Sequence, residues 1–177
     1  MNIYIDPGHG GDDPGAQTNI PFHYTEKEFN LSLSKKLRDM LERQDHTVSL
    51  TRDGDFHVSL YNRAQMANQA NADIFVSIHA NGSSNASTSG METYYYSGSS
   101  NGKSLANLIL RSMIDEFPKH ENRGIKTANF AVLRLTLMPA VLIECEFITN
   151  PRQAEFLSNQ RNQELLAEAI ARGIQIY

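Results

Sequence analysis

Near its start the chain has an apolar run that breaks abruptly into glycine, and this feature limits the fold more than any other. Asn2 to Asp6, NIYID, has the pattern of a short buried strand and runs straight into Pro7-Gly8-His9-Gly10-Gly11. The same grammar returns at Asp73 to His79, DIFVSIH, a run rich in β-branched residues that is closed by Ala80-Asn81-Gly82. Helical spacing separates the two runs. Strands that alternate with helices predict a parallel sheet covered on both faces.

The remaining elements follow from the same periodicities. Glu26 to Gln44 carries Phe29, Leu33, Leu37, Met40 and Leu41 at helical spacing. Thr47 to Thr51 reads as a strand, Ser59 as the cap of a helix through Ala70, and Met91 to Tyr96 as another strand. Leu105, Leu108, Ile109 and Met113 mark a third helix, Val132 to Leu135 a short strand, Val141 to Glu146 a buried strand and Asn162 to Gln175 a closing helix. The expected fold is one three-layer α/β/α domain over residues 1–177, with a central, mostly parallel twisted sheet of about six strands. A chain of 177 residues that is 40% hydrophobic can bury such a core without staples, and its single Cys excludes an internal disulfide. A net charge of −4 with no basic block leaves no footprint for nucleic acid, and no apolar run reaches membrane-spanning length. The stretch Gly82 to Gly90, rich in Ser and Asn, reads as a flexible loop beside the carboxyl ends of the strands.

His9 and His79 each sit at the end of an apolar strand. If those strands are parallel neighbours, both imidazoles emerge at the sheet's carboxyl edge, where open α/β sheets bind ligands. Thr25-Glu26-Lys27-Glu28 reads as a capping box that places Glu26 in the first turn of a helix, its carboxylate free to reach outward. Two His and one Glu with an open fourth position form a catalytic zinc set. The plain alternatives are a surface or hydrogen-bonding His, and a Glu that merely complements the helix dipole. A phosphate cradle at the glycine turn is disfavoured, since no Lys-Ser/Thr pair follows it.

Alternation along Val141 to Phe147 puts Val141, Ile143, Cys145 and Phe147 on one face, and Leu142, Glu144 and Glu146 on the other. An acid in an apolar strand needs a reason: an open sheet edge, a metal or activated water, or an ion pair with Arg134 or Arg52. Glu146, on the same expected face, either tunes Glu144 as a like charge or plays a structural part, and the structural part is preferred. Cys145 reads as a small buried hydrophobe.

Several ordered blocks then resemble one family. Asp6-Pro7-Gly8-His9-Gly10-Gly11, Asp13-Pro14-Gly15-Ala16, Glu26-Lys27, Ser77-Ile78-His79-Ala80-Asn81 and Pro139 to Asn150, PAVLIECEFITN, are similar to the zinc-dependent N-acetylmuramoyl-L-alanine amidases of the Amidase_3 type. Leu50-Thr51-Arg52 with Asp55, Leu60 with Arg63, Ala67-Asn68 and Ala131-Val132-Leu133-Arg134 fall in the family's order, so the resemblance covers nearly the whole chain. It implies one zinc ion per chain held by His9, Glu26 and His79, with Glu144 as the catalytic carboxylate. Where this family commonly has a glycine two places after that carboxylate, the chain has Glu146.

The resemblance further implies cleavage of the amide between N-acetylmuramic acid and L-alanine of the peptidoglycan stem peptide, at the bacterial wall. Some members carry a helical insertion that blocks the cleft until a partner removes it. The connection here is short, which implies a cleft open without an activator. Asp6 or Ser77 either orients a ligand imidazole or turns the backbone. Asn81 is a candidate donor to substrate, Arg134 a candidate partner for a stem-peptide carboxylate or for Glu144 or Glu146. His23 is placed to face the cleft, while His46, His57 and His120 read as exposed. In Tyr94-Tyr95-Tyr96 at least one ring is expected in the core and another outside. Asn2 to Asp6 already belongs to the fold, so no export leader is expected, and the chain is either released without the secretory route or a domain of a larger secreted protein. A monomer is expected, with any wall-binding module outside the chain. The alternatives are a metal-independent glycoside hydrolase using Glu144 and Glu146, and a wall-binding module without catalysis.

Overall fold

The computed structural model describes residues 1–177. Along the chain come β1 (Asn2–Pro7), β2 (Gln17–Thr18), β3 (Tyr24–Thr25), α1 (Glu26–Glu42), β4 (Thr47–Leu50), α2 (Leu60–Gln69), β5 (Ile74–Asn81), β6 (Met91–Tyr95), α3 (Ser100–Glu116), β7 (Asn122–Thr127), α4 (Ala131–Arg134), β8 (Ala140–Phe147), α5 (Pro151–Ser158) and α6 (Gln160–Gln175). A six-stranded sheet has the order β4-β1-β5-β8-β6-β7, and β2 pairs with β3 apart from it. β4, β1, β5 and β8 run parallel, β6 turns antiparallel against β8, and β7 lies parallel to β6. The expected mostly parallel α/β sheet is what forms.

Strand alternation sorts each strand onto two faces. Ile3, Ile5, Ile74, Val76, Ile78, Val141, Ile143 and Cys145 face the main core with α1, α3 and α6. Tyr4, Phe75, Ala140 and Leu142 face a smaller cluster with α2 and α4. α1 holds the first face through Phe29, Leu33, Leu37 and Leu41, all fully buried at successive helical turns. Truncating one of these leucines to Ala removes about 2–5 kcal/mol. The carboxylate of Glu28 accepts from the backbone N–H of Thr25 at 3.0 Å and from its hydroxyl at 2.6 Å, which fixes where α1 begins. The hydroxyl of Ser59 accepts from the Asn62 amide at 3.2 Å and starts α2. No helix is long and apolar enough to cross a membrane.

Two expectations fail. Val132 to Leu135 is not a strand: Ala131–Arg134 forms a single helical turn, because a four-residue apolar run carries no period that separates the two states. The alternation along β8 is also interrupted. His79 pairs with Glu144 but Asn81 pairs with Phe147, so β8 carries one extra residue, a β-bulge. Past it the faces exchange. Glu146 turns to the main-core side, where His120 packs on Phe117 and Phe156, and Phe147 joins the side of Glu144. The segment 82–90 is tied down: Ser83 N–H donates to Thr149, Asn150 to the Thr88 carbonyl, and Gly90 N–H to Glu146.

Candidate metal centre and catalytic cleft

β1 and β5 end side by side, with Asp6 level with Ser77. The chain continues from β1 through Gly8, whose N–H donates to the Ile78 carbonyl at 3.1 Å, and this carries His9 over the end of β5. Glu26, the first residue of α1, reaches the same point from the other side of the sheet. One donor atom from each of His9, Glu26 and His79 lies within 4.8 Å of the other two. Glu26 Oε2 is 3.1 Å from Nε2 of His9, and Oε1 is 2.8 Å from Nδ1 of His79. The imidazoles meet edge to face with centroids 5.2 Å apart.

Two glycines make this convergence possible. A Cβ at position 8 would lie 2.2 Å from Cε1 of His79, so only glycine lets that ring pack against the backbone just past β1. Gly15, at φ +66°, leaves room for Glu26 Oε2, which a Cβ would approach to 2.4 Å. His9 itself sits at φ 61°, a left-handed conformation that costs about 1 kcal/mol or more in a non-glycine residue. Two buried arginines hold it there. Arg63 donates to the Pro7 carbonyl at 2.7 Å, to the His9 carbonyl at 2.7 Å and to Asp6 at 2.8 Å. Arg52 donates to the carbonyls of Pro7 and Gly8 at 3.0 and 2.9 Å.

Electrostatics set the states of these groups. Burial alone would raise Glu26, but hydrogen bonds to His79 and His9 outweigh it and hold the carboxyl far below its ordinary value. Burial lowers His9, and its bonds to Glu26 and Asp13 more than restore it, for a net rise. Glu144 has no compensating partner: burial pushes its pKa well up, with further contributions from the charges of Glu26 and Glu92. Its Oε2 is a buried polar atom with no hydrogen bond. Such an atom calls for something positive or protic. A His-Glu-His donor cluster beside an unpartnered carboxylate oxygen fits a divalent cation with a protic ligand of its own.

These groups border a cleft of about 510 Å³. Asp13, His9, His79 and Glu144 give one wall its polarity, while Leu60, Phe130, Val132 and Leu142 supply apolar surface. His57 is exposed at its edge, and no residue of 82–90 lines it.

Other expected site residues are placed differently. Asp6 and Ser77 bond each other at 2.7 Å, and Asp6 also accepts from Thr51 and Arg63, so neither touches an imidazole. Asp13 does, with Oδ2 2.8 Å from Nδ1 of His9. Asn81 uses its amide internally, donating to Glu92 and accepting from Gly82 N–H. Arg134 bonds Asn129 and lines a separate depression with Tyr96 and Leu137, away from both Glu144 and Glu146. Arg52 serves backbone carbonyls and pairs with neither. His23 bonds Asn19 and does not line the cleft. His120 is not solvated as expected but lies 2.8 Å from the fully buried Glu146. Tyr95 packs on the main core, Tyr94 donates to Glu92, and Tyr96 is exposed. Cys145 is buried as expected.

Because of the bulge, Glu144 and Glu146 face opposite sides of the sheet. They cannot tune each other as same-face neighbours, and a glycoside hydrolase loses its carboxylate pair. The acid beside Glu144 is Glu92, its register partner on β6, 2% exposed. Glu92 gathers Asn81, Tyr94, Arg123 and Lys126. Sequence reasoning passed over Asp13 and Glu92. An acid inside the strand pattern METYY was the available signal for Glu92, by the same argument that singled out Glu144.

Known proteins share this arrangement of elements. An N-acetylmuramoyl-L-alanine amidase from Clostridium difficile 630 is 39% identical with a TM-score of 0.95, covering 99% of this chain and 95% of that one. The catalytic domain of CwlV, an N-acetylmuramoyl-L-alanine amidase from Bacillus (Paenibacillus) polymyxa var. colistinus, is 37% identical with a TM-score of 0.93, over 99% and 97% of the two chains. "Probable cell wall amidase LytH" of Staphylococcus aureus is 37% identical over 175 residues, which is 99% of this chain. The chain spans 57% of the length of that curated relative. The family model described as N-acetylmuramoyl-L-alanine amidase, Amidase_3, matches residues 3–176, and with the convergence of strand ends and α1 described above it establishes that the chain belongs to the Amidase_3 family.

Proposed function

We propose that this chain is a zinc-dependent N-acetylmuramoyl-L-alanine amidase that hydrolyses the amide joining the lactyl group of N-acetylmuramic acid to L-alanine in peptidoglycan. The observation that carries the reading is the meeting of His9, Glu26 and His79 within 4.8 Å beside the unpartnered Oε2 of Glu144. Zinc held by those three residues supplies a Lewis acid that lowers the pKa of water to roughly 7 and polarises a carbonyl.

The chain's own residues do the rest. Glu144 Oε2 accepts a proton from the attacking water, the water oxygen bonds the lactyl carbonyl carbon, and the C–N bond breaks as Glu144 returns the proton to the L-alanine nitrogen. A carboxyl raised by burial takes up the water's proton more readily than an ordinary one, and the far more basic leaving amine then draws that proton off. Asp13 fixes the orientation of the His9 ring. The chain works as a monomer at the bacterial wall without an activating partner, and any wall-binding module lies outside these residues.

The test is a digest of purified peptidoglycan analysed by mass spectrometry. Stem peptides with a free L-alanine amino group are expected, with loss of activity on chelation and recovery on adding zinc. New reducing sugar ends would refute the reading, and digestion only after adding a second protein would refute the open cleft.

A further inference from the structure

α2 borders the catalytic cleft, and its solvent side carries no charge. Its one charged residue, Arg63, is buried, while Leu60, Tyr61, Asn62 and Gln69 are exposed and Gln65 is half-buried. The other long helices differ. α1 presents Lys35, Lys36, Arg38 and Asp39, and α6 presents Arg161, Glu164, Glu168 and Arg172. Asn62, Gln65 and Gln69 recur on one face of α2 at helical spacing, and their carboxamides make no hydrogen bond within the protein.

That face forms one wall of a second groove of about 530 Å³, lined by Phe56, His57, Val58, Asn62, Gln65 and Gln69 among others. His57 and Val58 also line the catalytic cleft, so the two depressions meet at these residues. Phe56 is 46% exposed. A carboxamide offers a donor and an acceptor together, which suits vicinal hydroxyls and N-acetyl groups, and an exposed ring suits the C–H face of a sugar. A wall without ions suits an uncharged ligand, because no charge need be desolvated. On the far side of β8 from β1 and β5, the β6–β7 part of the sheet is ionic, with Arg123 and Lys126 around Glu92, the register partner of Glu144.

We propose that the α2 groove is a binding site for the peptidoglycan glycan strand, a neutral N-acetylated saccharide, so that the sugar chain leaves the catalytic cleft across His57 and Val58. The inference rests on the amidase reading and gives that substrate its direction: glycan over α2, stem peptide toward β6 and β7.

The test compares the zinc-loaded chain with its Gln65→Ala/Gln69→Ala variant on two substrates: glycan strands bearing stem peptides, and a stem peptide on a single muramic acid. Both positions lie on the outer side of a helix where Ala is favourable, so the variant folds, which a thermal melt checks. The variant is expected to lose about tenfold in kcat/KM on the polymer, the worth of one to two net hydrogen bonds, and less than twofold on the small substrate. Neutral oligomers of β-1,4-linked N-acetylglucosamine should inhibit the parent and not the variant. Equal loss on both substrates, no loss on the polymer, or equal inhibition of parent and variant overturns the glycan site. Failure of the parent to cleave either substrate overturns the amidase reading instead.

Discussion

His79 and Glu144 are register partners on β5 and β8, so the imidazole and the carboxylate rise from adjacent parallel strands on the same face of the sheet. Their separation is set by ladder hydrogen bonds rather than by a loop, the firmest support two side chains of one site can have. Glu144→Gln should therefore lower kcat about 10²–10⁴-fold without disturbing the donor set. Metal analysis of the variant should give the parent's zinc content alongside the lost turnover.

The same residue makes an opposite prediction for stability. Glu144 is raised in the folded protein by burial and by Glu26 and Glu92, so the metal-free fold binds its proton more tightly than the unfolded chain does. Its contribution is fully present below the unfolded value of about 4.3 and is lost as pH rises through the folded value. Metal-free Glu144→Gln should melt higher than the metal-free parent at neutral pH, and the two should converge below about pH 4. Thermal melts from pH 4 to 8 test this.

Gly8→Ala drives a methyl into the His79 ring, since the added Cβ would sit 2.2 Å from Cε1. Zinc affinity should fall at least ~10-fold through misplacement of a ligand. Gly54→Ala, with only the Phe56 ring at 3.4 Å, is the matched control and should bind as the parent does. A competition titration against a chelator measures both.

Asp13→Asn keeps the shape but removes the charge 2.8 Å from Nδ1 of His9. A carboxylate behind a ligand imidazole fixes its orientation and raises its basicity, so zinc affinity should fall about 10–100-fold. Circular dichroism should be unchanged, since Asp13 is half-exposed and outside the core. Unaltered affinity would leave His9 oriented by Glu26 and the backbone alone.

Asp6 governs the acid limit. Burial raises it, but the charge of Arg63 and hydrogen bonds from Thr51, Ser77 and Arg63 prevail and hold it below its ordinary value. Its stabilisation is present above the unfolded value of about 3.9 and is lost as pH falls through the folded value. Asp6→Asn should cost about 3 kcal/mol at pH 7, because Arg63 is left buried without its counter-charge, and should flatten the loss of stability below pH 4. Urea unfolding at pH 3 to 7 reads both.

Much of this was legible in the sequence where period and punctuation agreed. The glycine turn after β1, the Thr25 cap and the β-branched run to His79 each marked an element and the residue at its end, and those ends meet. β8 was not legible to the same degree. Nothing in VLIECEF marks an inserted residue, and a slip of one exchanges the faces of everything beyond it, as it does for Glu146 and Phe147. Partners were hidden for another reason: sequence gives Arg52, Arg63 and Asp6 as charges, but which carbonyl or carboxylate each meets depends on distant segments. His120 looked solvated in its polar loop because Phe156, which packs on it, comes far later in the chain.

The arginine grip on the carbonyls of Pro7, Gly8 and His9 separates metal loss from denaturation. The left-handed turn at His9 is maintained by the guanidinium groups of Arg52, just past β4, and of Arg63 in α2, and the aliphatic interior beneath needs no ion. Stripping the cation should thus yield a dormant enzyme rather than a random coil, one that reloads as fast as ions diffuse in, unlike small zinc modules that must refold around their metal.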